Sequence, residues 1–115
     1  MKNETTLYDV YDEYPDEDEL IWNYVGEIDF ENLRFPINRI KIHKIVDNNF
    51  LNSFKKNSDS WQKKYVKHIV NNINKFKDIP VIVDFDNKII VDGNHRLIGM
   101  YLSGLKYVNV IDINY

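Results

Sequence analysis

Five consecutive residues late in the chain, Asp92-Gly93-Asn94-His95-Arg96, bring together a carboxylate, a glycine, an amide, an imidazole and a guanidinium. Each can handle an anion or a proton. Arg96 offers a planar fork that matches two phosphate oxygens at once. His95 can donate to a phosphate or move a proton near neutral pH. Asp92 can hold a magnesium ion or accept a hydroxyl proton. Asn94 can donate through its amide to an oxyanion. Gly93 can take a positive φ and lets the backbone approach a ligand closely. Before them, Ile89-Ile90-Val91 reads as a strand; after them, Leu97, Ile98, Tyr101 and Leu102 mark one side of a helix. A strand, a glycine turn and a helix start aim several backbone N–H groups at one point, where the helix dipole adds partial positive charge. Two basic side chains at that end oppose the dipole unless an anion arrives, which favours a binding role. Each residue also has a plainly structural use. Asp92 can cap the helix or the turn, Gly93 can permit the reversal, His95 can be surface or core, and Arg96 can pair with Asp92 or Asp84.

The elements that must hold this turn form a mixed α/β (α+β) pattern: a small mixed sheet with a β-hairpin and flanking helices. Pro36 precedes a strand over 37–42, where Ile40 and Ile42 alternate with charged residues. Residues 47–56 read as a short helix capped by Asp47, with Phe50, Leu51 and Phe54 on one face. Asp59 and Gln62 resemble a capping box that opens a longer helix. Along it Trp61, Tyr65, Ile69, Val70, Ile73 and Phe76 recur at helical spacing to about residue 77, with Lys63, Lys64 and Lys67 on the solvent side. Val81–Phe85 and Lys88–Val91 read as a hairpin around Asp86-Asn87. A helix over 95–103 stops at Gly104, and a strand over 107–113 closes the pattern. Residues 20–30 fit an alternating strand or a short helix equally well.

Composition bounds the reading. The 115 residues suffice for one core, and 43% hydrophobic content excludes a wholly disordered chain. No apolar run approaches the roughly 20 residues a membrane helix needs, so no membrane partner is expected. With no cysteine, disulfide scaffolds, thiolate zinc sites and cysteine nucleophiles are excluded. No apolar segment follows Met1-Lys2-Asn3-Glu4, and the expected setting is cytoplasmic. The net charge of −3 hides a split: residues 1–31 hold eleven acids and one base, and residues 32–115 hold seven acids and fourteen bases. A basic body suits a phosphate-bearing ligand. The acidic front, including Pro15-Asp16-Glu17-Asp18-Glu19, reads as a partly ordered extension over 1–35. It can be a solvated segment, or it can engage a protein partner by imitating nucleic acid.

Three stretches together carry a resemblance. They are Ile79-Pro80-Val81-Ile82-Val83-Asp84, Ile89-Ile90-Val91-Asp92-Gly93-Asn94-His95-Arg96-Leu97, and Gly104-Leu105-Lys106-Tyr107-Val108-Asn109-Val110. In that order, with the strand and helix before them, they resemble the ParB/sulfiredoxin superfamily over roughly residues 36–113. The variant Asp-Gly-x-His-Arg looks most like that of the free serine kinases, which carry Asp-Gly-His-His-Arg. The resemblance implies a ParB/sulfiredoxin-like domain over 36–115 that grips the phosphates of ATP or CTP, usually with Mg2+. The grip carries over to Gly93, Asn94, His95 and Arg96. Asp92 becomes the catalytic or metal-binding carboxylate, with His95 beside it. The departures are specific. Sulfiredoxins have a cysteine where Asn94 stands, so their reduction chemistry is excluded. Kinase-like members have a glutamate after the first strand, where this chain reads Ile42-His43-Lys44-Ile45 and the nearest carboxylate is Asp47. The further arginines and helix-turn-helix domain of chromosome-partition members are absent.

The expected function is therefore nucleotide phosphate binding by an NTP-dependent phosphotransferase or NTPase. The alternative is a non-catalytic nucleotide-binding or protein-interaction module of phage or plasmid type. Nuclease chemistry lacks a cluster of acids beyond Asp84, Asp86 and Asp92. Sequence-specific nucleic-acid binding is not expected, because no separate reading helix is evident; Lys63, Lys64 and Lys67 could touch phosphates only non-specifically.

Overall fold

The computed structural model describes residues 4–13 and 32–114, which form a mixed α/β fold with two sheets. Strand β1 (Glu4–Thr6) leads directly into helix α1 (Leu7–Glu13) and pairs antiparallel with β2 (Arg34–Pro36). The larger sheet contains β3 (Asn38–Lys41), β4 (Val81–Asp84), β5 (Ile89–Asp92) and β6 (Tyr107–Asp112), in the spatial order β3-β6-β4-β5. Within it β4 and β6 run parallel, while the outer pairs are antiparallel. The helices are α2 (Asn48–Asn57), α3 (Ser60–Asn71), the single turn α4 (Ile73–Phe76) and α5 (Asn94–Leu102).

Every residue of β4 is buried, because both faces of the sheet are covered. Ile82 and Ile111 face a core with Leu7, Val10, Phe35 and Val91. Val81, Val83, Val108 and Val110 face the other way, onto Leu97 and Met100 of α5. This alternation is the period-2 geometry of a strand, and it explains why β4 reads as an unbroken β-branched run.

The first core crosses the boundary expected from sequence. The sequence reads 1–35 as a partly ordered acidic extension, and two of its side chains, Leu7 and Phe35, are buried at 0% and 1% exposure in one cluster with Ile79, Ile82 and Ile111. The acidic composition masks three apolar side chains, Leu7, Val10 and Phe35, that cover one face of the sheet. The acidic run at 15–19 and the ambiguous stretch at 20–30 lie outside the described residues.

The long helix expected to reach residue 77 is broken at Asn72, which leaves helical geometry at φ −125°, ψ 33°. Asn72 Nδ2 donates to the His68 carbonyl at 2.9 Å, a local bond that competes with continued helix. Both aspartate caps form as expected. Asp47 accepts from Phe50 N–H at 2.8 Å, and Asp59 and Gln62 complete a reciprocal capping box. Asp47, the carboxylate nearest the kinase-like glutamate position, is thus engaged as a helix cap. The hairpin turn spans 85–88, with Lys88 at φ 56°. Buried Asp84 ties it down by accepting from Asn87 N–H and Nδ2, and it also accepts from Asn114 Nδ2.

Candidate functional site

The run 92–96 forms the expected strand, turn and helix start. Asp92 ends β5, Gly93 is the turn, and Asn94 begins α5. Gly93 sits at φ 111°, a region that favours glycine. A Cβ there would lie 3.0 Å from Val81 Cγ1 and 3.1 Å from Arg96 Nη2, so space as well as torsion selects glycine. The first helical closure is sound, with Leu97 N–H donating to the Gly93 carbonyl at 2.8 Å.

This helix start differs from those of α2 and α3. Each of those has an aspartate cap that accepts from the third helical amide. Here the capping position is glycine, which brings no side chain, so no carboxylate caps this start. Asn94 is exposed and His95 half-buried at the positive end of the dipole.

Arg96 points inward. It is fully buried, and its Nη1 donates to the carbonyls of Pro80 at 2.9 Å and Ile79 at 3.2 Å. Its Nη2 lies 3.6 Å from Asp92 Oδ2, and the Asp92 side chain is itself only 1% exposed. The pair therefore braces the turn from beneath, linking the entry of β4, the end of β5 and the first turn of α5. Of the two partners open to Arg96, Asp92 is the one it meets, while Asp84 is engaged in the hairpin. A buried guanidinium in this pose presents no open fork to a ligand. The side chains of the run that reach solvent are Asn94 and, in part, His95.

The His95 ring is held by aromatic side chains that sequence spacing does not connect to it. It stacks on Tyr65 of α3 at 5.5 Å between centroids and 19° between planes. Phe54 of α2 meets it edge-on at 6.2 Å. Trp61, 65% exposed, meets the Tyr65 ring edge-on at 5.5 Å. Tyr65 and Phe54 were legible only as apolar helix positions; their meeting with His95 depends on how α2 and α3 pack on α5. That packing is close, since a Cβ at Gly99 of α5 would stand 2.6 Å from Ile69 Cγ2 of α3.

Among the described residues, no group of three or more His, Asp or Glu side chains could hold a metal ion. Asp92, the candidate magnesium ligand, is buried against Arg96 and does not offer a hydrated cation an open carboxylate in this arrangement. No protein-family model matches the chain, and neither a curated protein nor a solved structure matches it.

Proposed function

We propose that this protein is a ParB/sulfiredoxin-like domain that binds the phosphates of a nucleotide, ATP or CTP, at the start of α5. The observation that carries the reading is the uncapped helix start behind Gly93. A left-handed glycine replaces the aspartate cap used twice elsewhere, and the first turn carries His95. Backbone N–H groups at such a start favour an anion, and the helix dipole adds to the attraction. His95 is oriented by Tyr65 and can donate a ring N–H to a phosphate oxygen. The role of Arg96 in this reading is to brace the turn through Ile79, Pro80 and Asp92 instead of gripping phosphate directly.

The burial of Asp92 favours binding without turnover over a phosphotransferase or NTPase. A base or metal ligand must reach the substrate, and this carboxylate is 1% exposed and ion-paired. Magnesium, if it accompanies the nucleotide, would depend on the phosphate oxygens for its coordination, because the described residues gather no cage for it.

A thermal-shift and calorimetric series with ATP, CTP and GTP, each with and without Mg2+, tests the reading. A ligand present at a hundred times its dissociation constant should stabilise the fold by about 2.7 kcal/mol. His95→Ala should abolish most of that gain. The reading fails if no nucleotide raises the melting temperature, or if His95→Ala leaves the gain intact. Hydrolysis that Asp92→Asn abolishes would instead establish the catalytic reading.

A further inference from the structure

The opposite end of α5 carries a second feature that the proposed nucleotide site does not use. Where β3 ends and β6 begins, a cavity of about 460 Å³ opens to solvent. Tyr101 of α5 and Tyr107 of β6 frame it, and Lys41, His43 and Lys106 supply its charge. No carboxylate is among the described residues that line it, and none of those three bases is ion-paired among the described residues. A helix of nine residues rises about 14 Å at 1.5 Å per residue, so this cavity is roughly that far from the Gly93 turn.

The basic character continues along β3, the largely exposed edge strand of the sheet. Lys41 stands opposite Tyr107 in the β3–β6 register, and Arg39 is one alternation further along the same face of β3. The Arg39 guanidinium lies over the Tyr107 ring, 4.8 Å from its centroid. Tyr107 is 42% exposed and Tyr101 38%. Two exposed aromatic rings, Tyr107 on the sheet and Tyr101 at the end of α5, with cations spaced along the adjacent strand β3, are what stacked bases and their linking phosphates require. Stacking tolerates any base, because every base has a π-face. We infer that this cavity and the adjoining face of β3 bind a single-stranded nucleic acid without strong sequence preference. One nucleotide occupies the cavity between Tyr101 and Tyr107, and its neighbouring phosphates run along Lys41 and Arg39.

The experiment is a fluorescence-anisotropy titration of the full chain against labelled ten-nucleotide oligo-dT and oligo-U, at low and at physiological salt. Wild-type protein should bind both, more weakly as salt rises. Charge reversal of two exposed residues, Lys41→Glu with Lys106→Glu, should weaken binding at least tenfold, and Tyr107→Leu should weaken it with the charges left in place. The control Lys63→Glu with Lys67→Glu, on α3, should leave binding unchanged. His95→Ala should also leave it unchanged, so loss of the nucleotide reading and loss of this one are separable. The inference is overturned if neither oligonucleotide binds at low salt, or if the Lys41/Lys106 reversal binds like wild type. It is equally overturned if free AMP competes as well as the oligonucleotide at equal concentration, since the occupant would then be a mononucleotide.

Discussion

Replacing Arg96 by methionine separates a bracing arginine from a ligand-binding one. Methionine keeps most of the stem and removes only the guanidinium, so cavity formation is a small part of the effect. Two things are lost. The carboxylate of Asp92, 1% exposed, no longer has a cation 3.6 Å away, and the carbonyls of Ile79 and Pro80 lose their donor. Removing one partner of a buried ion pair costs about 3–5 kcal/mol. Orphaned carbonyls add to this, though not additively, because the same group served all three acceptors. For a domain of this size about 1 kcal/mol corresponds to roughly 4 °C in melting temperature, so the expected fall is about 12–20 °C. Far-UV circular dichroism during thermal and urea unfolding reads it directly. A double variant, Arg96→Met with Asp92→Leu, should recover a large share of the loss, because apolar residues of similar volume often replace a buried pair without penalty. An arginine held at the surface to await an anion would behave oppositely, with its removal shifting stability by no more than about 0.5 kcal/mol. A single variant that melts within about 2 °C of wild type would therefore refute the bracing argument.

Two further outcomes follow from the packing around the site. Gly99→Ala places a methyl 2.6 Å from Ile69 Cγ2 and should destabilise by about 1–3 kcal/mol, as over-packing does, with the loss relieved by Ile69→Val in a double-mutant cycle. Asp59→Ala removes the side-chain half of the α3 capping box, leaving only the residue-59 N–H on Gln62 Oε1, and should cost about 1 kcal/mol in urea unfolding, while Asp59→Asn should retain most of the stability.

Most of the larger sheet and its helices were legible because their signals are local. Asp47, Asp59 and Gln62 announce helix starts by side chains that act within three residues. The alternation at Ile40 and the β-branched run at 81–83 mark strands by a period that any covering layer would respect. What escaped depends on distant partners. Leu7 and Val10 sit in an acidic stretch whose average conceals them, and only the sheet face they cover reveals their purpose. Asn72 is the exception: a local bond to the His68 carbonyl ends a helix that the apolar spacing would have continued. The same division runs through the site. The Gly93 turn was legible from the strand before it and the helix after it. The inward pose of Arg96 was not, because its acceptors are carbonyls of Ile79 and Pro80, and backbone oxygens leave no trace in residue type.

The order of strands has a consequence for how the polypeptide is made. Residues 107–112 form a strand that lies between β3 and β4, so the segment synthesised late occupies an interior place in the sheet. Until it emerges from the ribosome, β3 lacks its antiparallel neighbour and β4 has only the hairpin beside it. The sheet is thus completed by insertion rather than by growth from one edge. During that interval the valines of β4 have incomplete cover, and an unpaired strand edge of that kind can pair with another chain.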